Sequence, residues 1–366
     1  MKKIRNGIAI MLTVLLAFLL CSCAGNTDRA KNGVKITATD AKTEQTEEYN
    51  DAVFSMTIPK GWKVTYGGSD IYHSIRISDP DEPLNCMFVL LKADCLLHSQ
   101  EGKDAWKAVY NEGNRDAVIF ANAPVLEKPS TESFFKIFAQ YADMASKFEA
   151  AYVGYSFPHY DNFTVTDRFS GSGDMVKYSL GDEFLRATFT DKGRAGEGMF
   201  SASVVDFKES LYSDRTVADY GLESVDSGYY MAYNIVAITA AKDTFIEWED
   251  LLTECLKTLK YSDIFENNIR GAIERDFFQA RCINQNFDQT MDGIMSSWDS
   301  RNKSIDIISQ KQSDATLGYE RVYDTRTKEI YRAAKGFTSS YKGKGYKPVT
   351  DDNMYTTPIS GYIEKD

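Results

Sequence analysis

The chain has 366 residues, with 42 lysine and arginine residues against 53 aspartate and glutamate residues, and a formal net charge of −11 at pH 7. This acidic balance argues against nucleic-acid binding, because contact with phosphates needs a basic surface. Hydrophobic residues make up 43% of the chain and aromatic residues 13%, a composition that excludes a largely disordered protein.

Residues 1–22 predict a signal for export. Three basic residues, Lys2, Lys3 and Arg5, precede an apolar run at positions 7–20. As a helix, this run would be about 21 Å long, which is shorter than the ~30 Å hydrocarbon core of a bilayer. It is therefore typical of a secretory signal peptide and not of a permanent membrane span.

The segment Leu20-Cys21-Ser22-Cys23 resembles the lipidation site of bacterial lipoprotein precursors. Ser22 is small, as the residue before the cleaved bond must be, whereas Cys21 departs from the usual residue types at its position. The resemblance implies cleavage before Cys23 and a diacylglycerol on its thiol. Secretion without a lipid, with two incidental cysteines, is the alternative.

Cleavage before Cys23 would leave a strongly acidic mature chain. It removes three basic residues, so 39 remain against 53 acidic ones and the net charge becomes −14. Such a chain would not adsorb to anionic lipid headgroups, so the acyl chains must supply the membrane affinity, at about 0.8 kcal/mol per buried methylene. We therefore expect a protein on the extracytoplasmic face of the cell membrane, with the membrane as its partner through the lipid.

Residues 23–49 predict a flexible tether, since they are polar and contain few large apolar side chains. Residues 50–262 predict an α+β domain. At its start, "FSMTIPKGWKV" alternates Phe54, Met56 and Ile58 on one face, and residues 59–61 predict a turn into a second strand near Trp62. An apolar strand follows at residues 86–91.

Five further strands are predicted in the second half of this domain. They fall at residues 163–169, 175–180, 184–191, 199–207 and 229–240. Because short loops join them, we expect an antiparallel sheet.

Helices are predicted to cover this sheet. An insertion at about 100–155 is helical, and its clearest helix runs from residue 131 to about 150, with Ser130 or Thr131 as the N-cap. A closing helix presents one apolar face, formed by Phe245, Trp248, Leu251, Leu252, Cys255 and Leu259.

The segments "MTIPKGWKV" and "AKDTFIEWEDLLTECLKTLKYS" resemble the first strands and the terminal helix of the PsbP/Mog1 type of α+β fold. The resemblance implies an antiparallel sheet covered by helices. Members of that group mostly act as binding or assembly partners, and the resemblance transfers no catalytic residue.

Residues 263–366 predict a separate module that begins with a long helix, from about residue 266 to 301. Apolar residues at heptad spacing permit either a coiled coil or packing against the chain's own sheet, and we favour the second because Phe278 and Cys282 widen the apolar face.

A β-hairpin is predicted after this helix, in "GYERVYDTRTKEIYRAAKGF". Asp324 is expected to accept from backbone N–H groups two residues on, and Lys328 to adopt a left-handed conformation. The segment resembles C-terminal modules of Firmicutes lipoproteins that have no assigned activity.

Tyrosines are dense in this module, and exposed tyrosines suit recognition of a protein or a glycan. We select Tyr319, Arg321, Tyr323 and Tyr331 as candidate binding residues. The alternative is that these side chains pack within their own module.

Four cysteines remain besides those of the export signal: Cys86, Cys95, Cys255 and Cys282. Their even number permits two disulfides in an exported chain, with Cys86–Cys95 and Cys255–Cys282 nearest in sequence. Burial as small apolar side chains is the alternative. Their spacing predicts no metal site.

No catalytic motif is present around the three histidines, His73, His98 and His159. We expect no cofactor, and a role as a non-catalytic binding or assembly module. Two alternatives remain: a cell-envelope hydrolase with a dispersed site, for example His159 with a distant serine or cysteine, and a solute-binding lipoprotein that serves a transporter.

Overall fold

The computed structural model describes residues 28–29, 35–40, 44–152, 154–170, 180–206, 219–222, 224–242, 244–273, 310–311, 314–315 and 318–365. Within these ranges the fold is α+β, with mostly antiparallel sheets. The chain divides into two compact units: a larger unit, Lys42–Leu317, and a smaller unit, which combines Met1–Ala41 with Gly318–Asp366.

The strands and helices are numbered in chain order. The strands are β1 Asp28–Arg29, β2 Lys35–Asp40, β3 Thr46–Asn50, β4 Phe54–Pro59, β5 Lys63–Gly67, β6 Ser74–Ser78, β7 Cys86–Leu97, β8 Asp161–Ser170, β9 Gly181–Asp191, β10 Arg194–Asp206, β11 Tyr229–Ala241, β12 Lys260–Tyr261, β13 Tyr319–Asp324, β14 Ile330–Ala334, β15 Tyr346–Pro348 and β16 Ile359–Lys365. The α-helices are α1 Gln100–Asn111, α2 Val118–Asn122, α3 Thr131–Phe148, α4 Phe245–Lys257, α5 Asp263–Ile273 and α6 Phe337–Ser340.

A seven-stranded antiparallel sheet forms the centre of the larger unit, in the order β5-β6-β7-β11-β10-β9-β8. The prediction of an antiparallel sheet from successive strands is confirmed, since β8, β9, β10 and β11 pair in that order. The strand predicted at 175–180 falls almost entirely outside the described residues. The central strands β7, β10 and β11 are buried along nearly their whole length because both faces of the sheet are covered.

Helix α3 covers one face of the sheet, as its apolar spacing predicts. Its N-cap is Ser130, whose hydroxyl accepts from the Ser133 N–H at 3.1 Å. Phe134, Phe138 and Tyr141 are fully buried in an aromatic core that continues into β7, β9 and β10. Burial of this stripe, worth about 2 kcal/mol or more per large side chain, is what holds the helix on the sheet.

Helix α4 covers the other face, together with β4. Trp248 packs against Trp62, with ring centroids 5.4 Å apart. The predicted turn at 59–61 and the strand after it are present, but the two strands that the turn joins do not pair with each other: β4 pairs with β3 and β12, whereas β5 pairs with β6. The turn after Pro59 carries the chain from one sheet to another, and the Thr57 N–H instead bonds the Thr258 hydroxyl at 2.8 Å.

The cysteines in the described ranges are buried free thiols: Cys86, Cys95 and Cys255. The Cys86–Cys95 disulfide that the sequence permitted does not form. Both residues lie on strand β7, where nine residues of extended chain separate them by about 30 Å. Cys255 packs in the apolar face of α4. Cys282 lies outside the described residues.

The smaller unit contains a six-stranded sheet, in the order β1-β2-β16-β14-β13-β15, in which β14 and β16 are parallel. The predicted hairpin is confirmed in β13 and β14. Asp324 Oδ1 accepts from the Arg326 N–H at 2.7 Å, and Lys328 has φ 68°, as their residue types predict.

Strands β1 to β3 lie within or beside the stretch whose composition predicts a tether. Strand β2 pairs with β16. Backbone hydrogen bonds hold such a strand in a sheet even when it contributes few apolar side chains, so its polar composition did not reveal it. The long helix predicted from residue 266 coincides at its start with α5, and residues 274–309 are not described. No helix in the described part of the chain is long and apolar enough to cross a membrane.

Candidate functional site

The three histidines occupy separate places and form no shared centre. His159 is partly exposed, and its Nε2 lies 3.5 Å from the exposed Asp143 carboxylate. The dispersed hydrolase site proposed around His159 needs a serine or cysteine beside it. Within the described ranges, no histidine is hydrogen-bonded to a serine, threonine or cysteine side chain.

His98 lies at the end of β7 between two carboxylates. Its Nδ1 is 2.9 Å from Asp226 Oδ1, its Nε2 is 3.4 Å from Asp206 Oδ1, and its ring lies 4.1 Å from that of Tyr230. An aspartate on one nitrogen is the arrangement that orients a catalytic base. The second nitrogen, however, faces another carboxylate instead of a nucleophile, so this arrangement connects loops around the end of the sheet.

The cysteine thiols are poor nucleophiles. Burial raises the pKa of Cys86 and of Cys95, and it raises the pKa of Cys255 to about 11. Because the thiolate is the reactive form, these three side chains are suited to packing and not to covalent chemistry.

The candidate binding residues of the smaller unit lie on two faces of its sheet. Tyr319, Arg321 and Tyr323 alternate on one face of β13, whereas Tyr331 is paired with Val322 and lies on the other face. Tyr331 is 4% exposed and packs in the core of this unit. The structure therefore does not bring all four residues to one surface.

On the first of these faces, arginines and tyrosines pack together. The Arg321 guanidinium lies 4.6 Å from the Tyr355 ring, and its Nη1 donates to the Tyr355 carbonyl at 3.3 Å. Tyr319 is 8% exposed and Arg321 is 4% exposed, while Tyr323 is more accessible. Their role in recognition stays a prediction, and Tyr323 is the member best placed to meet a ligand.

Two open grooves lie on either side of the N-terminal half of α3. The first has a volume of about 440 Å³ and lies between α3 and strand β8, and the second has a volume of about 430 Å³ and lies between α3 and residues 125–128. Lys136 borders both grooves, so they form one continuous surface around the helix.

Strand β8 supplies six consecutive residues, 163–168, to the first groove. It is the last strand of its sheet, and no strand in the described ranges pairs with its outer edge. Two irregularities in its pairing with β9, and the bond from the Arg168 N–H to Asp167 Oδ1 at 2.8 Å, interrupt that edge. An edge strand interrupted in this way does not readily pair with a further strand. A ligand in the groove would therefore contact side chains and would not extend the sheet.

Glu132 organises the charges of this groove. Its Oε1 accepts from Lys136 Nζ at 2.5 Å, and its Oε2 accepts from Arg168 Nη2. The hydrogen bond from Lys136, with that from Arg168, lowers the pKa of Glu132. Charges of both signs and the hydroxyls of Thr164 and Thr166 thus face one concave surface, which can bind a polar ligand but contains no activated nucleophile.

No group of His, Cys, Asp and Glu side chains in the described ranges is arranged to hold a metal ion. Comparison with protein-family models and with curated protein sequences found no match for this chain.

The sequence indicated each wall of the groove separately. The Ser130 cap predicts where α3 begins, and the alternation at 163–169 predicts β8. Their adjacency had no local signal, because Glu132 and Arg168 are 36 residues apart and meet only through the packing of α3 on the sheet.

Proposed function

We propose that this chain is a lipid-anchored extracytoplasmic protein that binds a polar protein ligand and catalyses no reaction. The lipobox-like segment that ends at Cys23 supports the location and the anchor. The observation that carries the binding role is the pair of adjoining grooves around Lys136, whose walls contribute charges of both signs and hydroxyls.

A protein ligand fits this surface better than nucleic acid or an anionic lipid surface does. The mature chain would carry a net charge of −14, which disfavours nucleic acid and anionic lipid surfaces. The first groove contains two carboxylates, Glu132 and Asp167, and two cations, Lys136 and Arg168, so its charge is balanced and a ligand with side chains of both signs can approach it without net repulsion.

The antiparallel sheet covered by helices supports a further proposal, that the larger unit is a PsbP/Mog1-like domain. That group consists mostly of binding or assembly partners, which agrees with a non-catalytic role. A cell-envelope hydrolase and a transporter-linked solute-binding lipoprotein are the other candidates, and no specific contact favours either one.

The anchor is tested by the variant Cys23→Ala. We expect it to lose the acyl chains and to leave the membrane fraction, as detected by intact-mass spectrometry and cell fractionation. The matched control is Cys21→Ala, which alters the neighbouring cysteine but should remain lipidated. If Cys23→Ala stays in the membrane fraction with an unchanged mass, the anchor is at another position or absent.

The groove is tested by a photo-crosslinking residue at Thr166 in the full-length protein in intact cells. We expect one discrete crosslinked protein, which Lys136→Glu abolishes and the control Lys107→Glu, at an exposed site on α1, leaves unchanged. A crosslinking residue at the exposed Glu112 should not give the same product. Identical products from both positions, or no product from Thr166, would refute binding at the groove.

A further inference from the structure

The charged groups of the first groove, between α3 and β8, are unequally exposed. The side chains of Lys136 and Arg168 are 51% and 47% exposed, whereas that of Glu132 is 23% exposed. Asp167 is only 8% exposed, and its Oδ1 accepts from the Arg168 N–H at 2.8 Å. The groove is therefore balanced in formal charge, but the charges that a ligand can contact are mainly positive.

Glu132 shows which kind of anion fits these two cations. One of its carboxylate oxygens accepts from Lys136 Nζ at 2.5 Å, and the other accepts from Arg168 Nη2. The two nitrogens are thus spaced so that a single carboxylate can bridge them. An ammonium has three N–H donors and a guanidinium has five, so each type of group can bind more than one carboxylate. A carboxylate is therefore the ligand group that matches the spacing of Lys136 and Arg168.

Packing between α3 and the sheet holds the two cations in place. At the start of α3, the buried Thr131 hydroxyl donates to the Ala202 carbonyl of β10 at 2.9 Å. The Phe135 ring, on the same helix, stacks on the Phe163 ring of β8 at a centroid distance of 5.5 Å. These contacts fix α3 against the strand that carries Arg168. A ligand would therefore meet a backbone that is already ordered, which lowers the entropic cost of binding.

The net charge of −11 does not prevent an anionic side chain from binding at short range. At physiological ionic strength, exposed charges more than about 8 Å apart are largely screened from each other. A nucleic acid or an anionic membrane presents many charges over a wide area, so it also meets the excess negative charge of the chain. One carboxylate on a peptide meets mainly the local charges of Lys136 and Arg168.

Resting on the proposed function, we propose that the first groove recognises an acidic segment of its protein partner, with an aspartate or glutamate carboxylate of that partner contacting Lys136 and Arg168. Glu132 is a positioning residue, because its two oxygens hold both cations at the spacing of a carboxylate. Its own negative charge also repels the carboxylate of the ligand and so limits the affinity.

The proposal is tested with a fluorescent ten-residue peptide of alternating glycine and glutamate, and a matched peptide with glutamine in place of glutamate. Fluorescence anisotropy with the full chain at low salt should show tighter binding of the glutamate peptide. Lys136→Gln and Arg168→Gln should each weaken its binding by about threefold to fivefold. The control Lys107→Gln, at an exposed position on α1, should leave it unchanged.

Glu132→Gln should strengthen binding of the glutamate peptide. The substitution removes one negative charge beside the bound carboxylate, which at a separation of about 6 Å in water corresponds to about a threefold gain. The control Glu112→Gln, at an exposed position on α1, should give no such gain. A variant that fails to fold would lose binding, so a gain cannot be an effect of misfolding.

Equal binding of the glutamate and glutamine peptides, or unchanged or weaker binding in Glu132→Gln, would overturn recognition of an acidic segment. If the discrete crosslinked product from Thr166 is still obtained in that case, this inference fails alone and the groove still binds a protein. If that product is also missing, the proposed function fails with it.

Discussion

When the pH falls from 7 to 4.5, protonation of the buried His73 should oppose folding of the larger unit. This side chain is 3% exposed and lies among the rings of Tyr66, Tyr261 and Phe265, at centroid distances of 4.9 to 6.0 Å. Neither of its ring nitrogens has a hydrogen-bond partner in the described ranges. Burial lowers the pKa of His73 from 6.5 to about 4, and the attraction to Asp51 opposes this only in part.

The size and sign of the effect follow from this pKa. Between pH 6.5 and 4 the unfolded chain binds a proton at His73 and the folded chain does not, so stability is lost as the pH falls through that window. At 1.36 kcal/mol per pKa unit, the full loss is about 3 kcal/mol. By pH 4.5 the loss should reach about 2 kcal/mol.

Titration of Glu149 changes the free energy of unfolding in the opposite direction to His73 and by a similar amount. Because its folded-state pKa is raised from 4.5 to about 7, it favours the folded state at low pH and this stabilisation is lost as the pH rises to 7. The two effects should nearly cancel in the unmodified chain. Only a variant that removes one of the two groups should reveal the contribution of the other.

The assay is urea unfolding at pH 4.5 and at pH 7, followed by tryptophan fluorescence. The tryptophans in the described ranges, Trp62, Trp106 and Trp248, all lie in the larger unit, so their fluorescence reports the unfolding of that unit. Relative to the unmodified chain, His73→Phe should gain about 2 kcal/mol at pH 4.5 compared with pH 7. The control His159→Phe, at a partly exposed site, should show no such gain. Equal pH dependence in both variants would refute a buried neutral His73.

Three further substitutions test local features of the fold by thermal or urea unfolding. Ser130→Ala should destabilise α3 by about 1 kcal/mol through loss of its cap, and Ser130→Asp should restore most of this. Gly68→Ala, at φ 80° and against the Tyr72 carbonyl, should cost more than about 2 kcal/mol, whereas Gly113→Ala, at φ 106° with no atom nearby, should cost only about 1 kcal/mol. Lys328→Gly should stabilise the hairpin of the smaller unit by about 0.5 kcal/mol, measured by near-ultraviolet circular dichroism, because it relieves a left-handed backbone.

Features whose cause is local were predictable from the sequence. The Ser130 cap and the spacing of Phe134, Phe138 and Tyr141 are contained within one helix. The hairpin loop depends on the chemistry of Asp324 and Lys328, which act on their own backbone. Nearest-neighbour geometry determines such features, so no knowledge of distant partners is needed.

Features that depend on contacts between residues far apart in the sequence were not predicted, or were predicted wrongly. The apolar strand predicted at 86–91 continues as β7 to Leu97, because Lys92 and Asp94 neutralise each other inside the unit. The turn at 59–61 was predicted, but nothing in the sequence shows that the strands on either side of it, β4 and β5, pair in different sheets.

The amino-acid sequence by itself determined the α+β class, the helix and hairpin with strong local signals, and the acidic net charge of the chain. Only the tertiary structure decided which strands pair, that three cysteines are buried thiols, that the grooves flank α3, and that Lys92 is buried against Asp94. The physical reason is that charge pairing, burial and concavity depend on distances between residues far apart in the chain. The periodicity of apolar residues shows which face of a helix or strand is apolar, but it does not show which other element packs against that face.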